Sequence, residues 1–332
     1  MNYPFITIII PCRNEELFIS ECVTSLLHQD YPGEKVEILI IDGISTDGTL
    51  KILQQITEKN PNVRIFSNSG KNFPAGVNIG IAQAKGDYIF IAGAHARYPE
   101  NYISGCIISS QKYDADNIGG LMETVPFEDN FTGRLITKVL SSPFGVGNSK
   151  FRTGSSEIIE TDTVFGGCYK KEVFVKHGKF NENLVSTSDF EFNKRIKRAG
   201  ARIFLVPDII IKYYTRSTLL KFLKNNIRNG FWAIYPVAFT DHFPVSLRHL
   251  IPLVFLSTLI LISCLSFFFH FILIILLTIM SLYLLFSLIY SIKDAGKKYH
   301  YILFLPLLFL GLHISYGIGS IWGVFKVIYK KL

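Results

Sequence analysis

The sequence predicts an α/β protein whose mostly parallel sheet carries helices on both faces and is followed by transmembrane helices. Short β-branched runs alternate with helical patterns along the first part of the chain, as is typical of parallel sheets. Two of these runs, Ile6–Ile10 and Val36–Ile41, end abruptly in polar residues, as strands do at the ligand-binding edge of such a sheet. The stretch 250–291 contains no Asp, Glu, Lys or Arg. It is long enough for two bilayer crossings, since each takes about 20 apolar residues.

The elements of the first part follow from periodicity and from capping residues. Apolar residues at Phe18, Cys22 and Leu26 give residues 15–29 one helical face. The Ser-Thr-Asp triplet at 45–47 supplies N-cap side chains for the next helix. The remaining elements predicted here are a helix over 49–59, a strand over 63–66, a helix over 74–85 and a strand over 88–92.

The middle of the chain mixes helices, short strands and glycine-rich loops that we expect to cover a cleft. The elements predicted here are helices over 100–113, 131–142 and 189–199 and strands over 117–121 and 203–206. A basic amphipathic pattern over 219–239 then predicts a helix that lies in the membrane interface. A third apolar segment, 301–325, either spans the membrane or re-enters it.

These patterns predict three regions and a multi-pass protein of the cell membrane. The regions are a cytoplasmic catalytic domain over 1–214, amphipathic interfacial helices over 215–246, and a membrane domain over 247–332 with two to three transmembrane helices. The first apolar run is brief and lacks a basic leader, so it is not expected to be an export signal. The catalytic domain is therefore expected to face the cytoplasm.

The charge and the cysteine content indicate which classes of binding partner the protein has. The formal charge is +8, from 34 Lys and Arg against 26 Asp and Glu, and a basic rim beside membrane segments suits anionic head groups or a diphosphate carrier. We expect no nucleic-acid partner, because aromatic and basic residues do not interleave as in single-strand binders. The five cysteines lack C-x-x-C spacing, so neither a disulfide framework nor a zinc site is predicted.

Five segments carry polar and aromatic residues in a distinctive order. They are 8–16 (IIIPCRNEE), 41–49 (IDGISTDGT), 94–99 (AHARYP), 189–195 (DFEFNKR) and 313–319 (HISYGIG). In this order and spacing, the chain resembles family 2 glycosyltransferases of the GT-A fold, and more closely the membrane-attached succinoglycan-type exopolysaccharide enzymes. The resemblance implies an inverting enzyme of exopolysaccharide, capsule or related glycan synthesis. It would move one hexose from a nucleotide-diphosphate sugar, with a UDP-sugar favoured, to a polyprenyl-diphosphate-linked saccharide.

The resemblance places the donor nucleotide at the carboxyl ends of the first strands. Asp42 is implied to hydrogen-bond the base, which agrees with the strength of charge-assisted hydrogen bonds, and the alternative is a turn-forming aspartate. Lys71 is either a phosphate or sugar contact or a solvated loop charge. The implied nucleotide-sugar-binding residues are Pro11, Arg13, Asn14, Glu15, Asp42, Lys71, Asn78 and Gly93.

A divalent metal, Mg²⁺ or Mn²⁺, is implied at the end of the fourth strand. The family ties this metal to the diphosphate with an acidic pair, where this chain has Gly93-Ala94-His95. A neutral imidazole at His95 can ligate Mn²⁺ or, less well, Mg²⁺, whereas Gly93 supplies only backbone. The alternatives are that His95 bonds only to protein, that another acid such as Asp87 or Glu123 substitutes, or that the diphosphate relies more on Lys and Arg.

The resemblance assigns the catalytic base to Asp189, which would take the proton of the acceptor hydroxyl. The side chain of Glu191 points about 200° away from that of Asp189 on the same helix, so only one of the two carboxylates can face the acceptor. The alternative is that Asp189 caps the helix. The implied acceptor-side residues are Gly166, Gly167, Glu191, Arg195, Arg228 and Trp232. The Gln-x-x-Arg-Trp clamp of processive relatives is incomplete, which favours a single sugar transfer.

Three other functions stay open from the sequence. One is a polyprenyl-phosphate sugar synthase, which uses the bare lipid phosphate as acceptor. Another is a catalytically weakened scaffold that binds a nucleotide, motivated by Gly93. A transporter is disfavoured, because the membrane part is small and nearly uncharged.

Overall fold

Nine strands form one mixed sheet in the part of the chain that this computed structural model describes, residues 3–215, 217–241 and 243–331. The strands are β1 (Ile6–Cys12), β2 (Val36–Asp42), β3 (Val63–Ser67), β4 (Tyr88–Ile91), β5 (Ala96–Arg97), β6 (Asn117–Pro126), β7 (Ile159–Glu160), β8 (Phe165–Lys170) and β9 (Ile203–Thr215). Their order is β3-β2-β1-β4-β8-β6-β9-β5, and β7 pairs with β9. The first four are parallel, whereas β8 runs antiparallel to β4. The loops after β1, β2, β3 and β4 therefore leave the sheet at one edge.

Helices connect these strands and continue to the end of the described chain. They are α1 (Ile19–Leu27), α2 (Thr49–Lys59), α3 (Phe73–Gln83), α4 (Tyr102–Tyr113), α5 (Phe131–Ser141), α6 (Pro143–Val146), α7 (Lys150–Thr153), α8 (Lys171–His177), α9 (Ser188–Arg198), α10 (Leu219–Ile234), α11 (Ile251–Ser266), α12 (Phe271–Ala295) and α13 (Leu305–Lys331). Every helix and strand predicted from the first half of the sequence is present, with ends shifted by a few residues.

The core is centred on β1 and β2, which are buried almost throughout. Parallel strands covered by helices on both faces are expected to be apolar without alternation, as these two are. Of the apolar face predicted for α1, Cys22 and Leu26 are buried, whereas Phe18 lies just before the helix and is half-buried.

The described residues divide into two compact units. The first contains 3–123 and 154–214, and the second contains 124–153, 215, 217–241 and 243–331. Residues 124–153, predicted as part of the catalytic domain, thus lie in the second unit. The reason is that the apolar face of α5, around Ile136, packs with Tyr301 and Phe309.

Three helices of the second unit are long and apolar enough to cross a membrane. They are Leu247–Ser266, Phe271–Ala295 and Leu305–Lys330. The first two are mostly exposed, since 11% and 6% of their most apolar stretches are buried, whereas 44% of that stretch is buried in the third helix. Helix α10, predicted to be interfacial, packs along this third helix, with Ser320 Oγ 3.2 Å from the carbonyl of Gly230.

Candidate active site

The loops after β1 and β2 are tied together by hydrogen bonds at the carboxyl edge of the sheet. The amide of Asn14 donates to Ser45 Oγ at 2.9 Å, and the amide of Thr46 donates to Asn14 Oδ1 at 2.8 Å. The amide of Glu15 donates to Thr49 Oγ1 at 2.8 Å. Because each loop anchors the other, the two polar clusters lie side by side and form a pre-organised edge.

Asp42 is buried at the end of β2, and its carboxylate holds the turn that follows. Its Oδ2 accepts from the amide of Ser45 at 3.0 Å and its Oδ1 accepts from the Ser45 hydroxyl at 2.5 Å. Burial and the nearby Asp42 charge raise the pKa of the Cys12 thiol to about 12, so this neighbour stays neutral. The Cys12 thiol also donates to Oδ1, at 4.0 Å. A carboxylate offers about four lone-pair sites, and three donors therefore leave acceptor capacity for a ligand.

Each of the first three parallel strands is followed by a non-glycine residue in the left-handed backbone region. These residues are Asn14 (φ 55°), Ile44 (φ 57°) and Lys71 (φ 54°). Asparagine tolerates this region, but a β-branched residue such as Ile44 is a genuine outlier there. The conformation costs on the order of 1–2 kcal/mol for an L-residue. Strained residues of this kind cluster at ligand sites, where the surrounding structure holds them.

Two exposed cations, Arg13 and Lys71, lie on the loops after β1 and β3. Arg13 packs against Gly43, where an added Cβ would lie 3.1 Å from the Arg13 Cβ. Pro11 packs in the same way against Gly76 of α3, again at 3.1 Å. These two glycines thus allow the end of β1 and the loop after it to approach α3 and the loop after β2 closely.

Asn78 is buried in α3 and binds the loop that leads to α9. Its Nδ2 donates to the carbonyl of Phe180 at 2.9 Å and to Glu182 Oε1 at 2.8 Å. Its Oδ1 accepts from the amide of Phe180 at 3.0 Å. The side-chain amide of Asn78, which was predicted to contact the nucleotide sugar, is therefore bonded to the protein itself, and it fixes the position of residues 180–182.

His95 lies between a carboxylate and a phenol. Its Nδ1 is 3.3 Å from Glu15 Oε1, and its Nε2 is 3.0 Å from the Tyr213 hydroxyl. Tyr213 reaches it because β5 pairs with β9 in the register Ala96 to Tyr213. Burial lowers the pKa of His95, but Tyr213 and Glu15 outweigh this effect and raise the pKa to about 9. The imidazole is therefore a cation at neutral pH.

This arrangement does not fit the metal site implied by the resemblance. Both ring nitrogens of His95 already have protein partners, so a metal would have to displace Glu15 or Tyr213 from one of them. Within the residues that the structure describes, no three His, Cys, Asp or Glu side chains come together as a metal site. Asp87 does not replace the missing acid, because it precedes β4 and accepts from the amide of Phe5.

The pKa of His95 predicts a pH-dependent contribution of Glu15 to stability. Because the folded pKa, about 9, lies above the ordinary value of 6.5, the stabilisation is complete below pH 6.5 and is lost as pH rises through 9. Replacing Glu15 by Gln should therefore lower the thermal midpoint at pH 6.5 more than at pH 9.5. Thermal unfolding of both proteins across this range measures the difference.

The control for this prediction is Glu21→Gln, because the carboxylate of Glu21 lies 3.6 Å from a guanidinium, that of Arg97, rather than from an imidazole. Its effect on the midpoint should not follow the same pH profile. Equal losses for Glu15→Gln at pH 6.5 and 9.5 would show that Glu15 does not hold a proton on His95.

Gly93 follows β4, and Gly166 and Gly167 lie on the neighbouring strand β8. At Gly166 (φ +61°), an added Cβ would lie 2.8 Å from Ile211 Cδ1, and at Gly167 it would lie 2.9 Å from Asn117 Oδ1. At Gly93 it would meet nothing closer than Phe165 Cζ, at 3.6 Å. Protein atoms thus require glycine at 166 and 167, whereas position 93 has room for a side chain.

We therefore expect Gly166→Ala to destabilise the protein and Gly93→Ala to be tolerated. The first change adds a left-handed alanine and an overpacked methyl group, which together should lower the free energy of unfolding by about 1–3 kcal/mol. Comparison of the two thermal midpoints tests this. A Gly166→Ala midpoint as high as that of Gly93→Ala would contradict the packing shown here.

Asp189 lies in the first turn of α9, where it is partly exposed. Helix α9 is fixed to the sheet by the buried Asn193, whose Oδ1 accepts from Tyr169 at 2.9 Å and from Asn117 at 3.0 Å. Burial and the nearby charge of Asp189 both raise the pKa of Tyr169. The helix that carries Asp189 is thus bonded to Tyr169 of β8, the strand that carries Gly166 and Gly167.

Glu191, which is buried, forms an ion pair with the partly exposed Arg195 on the same helix. Glu191 is 3% exposed, and its Oε1 accepts from Arg195 Nε at 2.8 Å. Arg195 also donates to the carbonyls of His177 and Lys179. The pair thus fastens the turn before α9, the same turn that Asn78 holds from the other side.

Arg228 and Trp232, the remaining predicted acceptor-side residues, lie on α10 in the second unit. Arg228 is exposed and donates to Asn225 Oδ1 at 3.1 Å. The ring of Trp232 contacts those of Phe231 and Tyr235, at centroid distances of 5.6 and 5.8 Å.

Comparison with known families adds to this geometry. Residues 7–175, about half of the chain, match the family model described as glycosyl transferase family 2. The chain belongs to glycosyl transferase family 2. The matched range of this glycosyltransferase includes the β1 and β2 loops and His95, and it ends before Asp189.

Two relatives of this family 2 glycosyltransferase have informative names. One, from Methanococcus voltae, is a dolichyl N-acetyl-α-D-glucosaminyl phosphate 3-β-D-2,3-diacetamido-2,3-dideoxy-β-D-glucuronosyltransferase, 32% identical over 233 residues, which cover 68% of this chain and 72% of the relative. The other is the succinoglycan biosynthesis protein ExoA of Rhizobium meliloti, 29% identical over 215 residues, which cover 64% of each chain.

Two solved structures show the fold. The mannosyltransferase PcManGT from Pyrobaculum calidifontis, in complex with GDP-Man and Mn²⁺, matches with a TM-score of 0.61 and 15% identity over 98% of this chain and 88% of that one. GalNAc-T7 with UDP, GalNAc and Mn²⁺ matches with a TM-score of 0.53 and 17% identity over 73% of this chain and 52% of that one. The predicted GT-A fold is confirmed.

Several residues of this glycosyltransferase site have no signal in the sequence. Tyr213 meets His95 only through a strand pairing between distant segments. Tyr98 accepts from the amide of Gly93 at 2.7 Å, and Glu182 meets Asn78 across more than a hundred residues of chain. The left-handed backbone of Ile44 also has no signal in the sequence, since the turn conformation is seen only in the structure.

Proposed function

We propose that this family 2 glycosyltransferase moves one hexose from a UDP-sugar to a saccharide carried on polyprenyl diphosphate, with inversion at the anomeric carbon. The observation that carries the proposal is the pre-organised edge formed by the β1 and β2 loops, with Asp42 at its base. Acceptor oxygens and backbone amides held in place there suit a nucleoside. The leaving diphosphate needs positive charge, and Arg13, Lys71 and the imidazolium of His95 lie on the loops at this edge.

Asp189 acts as the base in this proposal. Its carboxylate takes the proton of the acceptor hydroxyl as that oxygen attacks the anomeric carbon, while the bond to the nucleoside diphosphate breaks on the opposite face. A single displacement of this kind inverts the configuration. Asn78 and the Glu191–Arg195 pair position α9 by holding the turn before it.

A lipid-linked acceptor is supported by two observations. The chain has three helices that are long and apolar enough to cross a membrane. One relative is named for transfer to a dolichyl-phosphate-linked sugar and another for succinoglycan biosynthesis. An enzyme and a lipid substrate that share one bilayer gain effective concentration. We place the catalytic unit on the cytoplasmic side of the cell membrane.

The test is sugar transfer by the full-length chain in membranes. Radiolabelled UDP-sugars are incubated with these membranes and with lipid-linked saccharides extracted from the same cells, and the labelled lipid is analysed by mass spectrometry. The expected product is the acceptor lengthened by one hexose. A product formed on the bare lipid phosphate and labile to mild acid would favour the polyprenyl-phosphate sugar synthase. UDP binding without transfer to any acceptor would favour the nucleotide-binding scaffold.

Use of Mg²⁺ or Mn²⁺ stays a prediction of the resemblance. Two solved structures of the same fold are titled with Mn²⁺, whereas the residues around His95 do not form a metal site by themselves. Transfer in excess EDTA, with and without added Mn²⁺, decides the matter. Full activity in EDTA would remove the metal from the proposal, and loss that Mn²⁺ restores would support it.

A further inference from the structure

Ile44 is an exposed apolar residue held in a conformation that suits glycine. Its φ is 57°, in the left-handed region, and 42% of the residue is exposed to solvent. A β-branched side chain is disfavoured there, and glycine adopts this conformation without steric cost. Because 42% of the residue stays open to solvent, packing within the protein accounts for only part of this side chain.

The surrounding hydrogen bonds hold Ile44 in this conformation. The amide of Gly43 donates to the carbonyl of Cys12 at 2.8 Å, and the amide of Ser45 donates to Asp42 Oδ2 at 3.0 Å. The next amide, of Thr46, donates to Asn14 Oδ1 at 2.8 Å. The backbone is therefore anchored on both sides of position 44, and strain that is held in this way points to a functional use of the residue.

The position of Ile44 indicates which part of a donor it would meet. It follows Asp42 by two residues at the carboxyl edge of β2, where a parallel sheet binds its ligand. A nucleobase has polar groups along its edge and an apolar face. An acceptor carboxylate and an exposed apolar side chain on one turn match these two features.

We propose that Ile44 packs against the face of the donor nucleobase and so contributes to nucleoside affinity. This inference rests on the proposed function, since it assigns a contact to the same donor site. It names a further residue that contacts the donor, at a position where the backbone conformation alone would favour glycine.

The test is calorimetric titration of the full-length chain in detergent with UDP and, separately, with inorganic pyrophosphate. Ile44→Gly should raise the Kd for UDP about fivefold to tenfold, because an apolar contact is lost. Its Kd for pyrophosphate should not change, because pyrophosphate has no base. Ile44→Val, which keeps a β-branched apolar side chain, should keep most of the UDP affinity.

A second variant separates the side chain from backbone freedom. Asparagine tolerates the left-handed region, so Ile44→Asn keeps the turn but presents a polar group. It should weaken UDP binding as Ile44→Gly does. The thermal midpoint of Ile44→Gly should not fall below that of the wild type, because the change removes strain.

Three outcomes would overturn the inference. They are equal UDP affinity in Ile44→Gly and wild type, full UDP affinity in Ile44→Asn, and a parallel loss of pyrophosphate binding, which would indicate a distorted loop. A wild-type chain that binds no nucleoside diphosphate would instead reject the proposed function, so the two failures are distinguishable.

Discussion

Replacement of Asp189 by Asn is expected to slow sugar transfer by about 10²- to 10⁴-fold, the usual contribution of a positioned general base. The amide has nearly the same size and still suits the first turn of α9, so the fold should be retained. UDP binding should be unchanged, because the nucleoside edge is built by the β1 and β2 loops. Transfer rates in membranes and UDP titration measure the two quantities separately.

The matched control for Asp189→Asn is Glu172→Gln. Glu172 is a carboxylate of the same unit, its side chain is 78% exposed, and its cation partner Lys176 is 3.9 Å away. Transfer by this control should equal that of the wild type. If Asp189→Asn also transfers sugar at the wild-type rate, Asp189 is not the base, and its place in the first turn of α9 then reflects helix stabilisation alone.

Replacement of Gly319 by Ala is expected to destabilise the second unit. A Cβ at this position of α13 would collide with the carbonyl oxygen of Ile227 and would lie 2.9 Å from the amide nitrogen of Phe231. Both neighbours are backbone atoms of α10, so a side-chain rotation cannot relieve the contact. Overpacking of this kind costs about 1–3 kcal/mol. The thermal midpoint of the detergent-solubilised protein should therefore fall.

The control for this prediction is Gly311→Ala on the same helix. There an added Cβ would meet only Leu223 Cδ2, at 3.2 Å, which is the end of a flexible side chain. Glycine to alanine in a helix interior is favourable by about 1 kcal/mol when nothing is crowded. The midpoint of Gly311→Ala should thus equal or exceed that of the wild type. Equal midpoints for the two variants would mean that α10 and α13 do not pack as closely as shown.

The local elements were predictable because their signals are local. Helix α2 lies over the predicted range 49–59, and β1 and β2 extend the predicted strands by one or two residues. Strand β9 shows where prediction from local signals fails. Only its first four residues were predicted, although it runs over Ile203–Thr215, because Pro207 and Asp208 interrupt the apolar pattern, whereas strand pairing, in part with the distant β5, carries the strand past them.

The sequence by itself determined the α/β order, the apolar helices and the two polar loops at the sheet edge. Apolar periodicity, turn-forming residues and the length of a segment without charged residues depend only on neighbours along the chain, so they can be recognised from the sequence without a structure. The tertiary structure decided the charge of His95, the commitment of Asn78 to the turn before α9, and the strain at Ile44. Each of these depends on groups distant in the sequence, Tyr213, Glu182 and Asn14, which only the folded sheet brings within hydrogen-bonding distance.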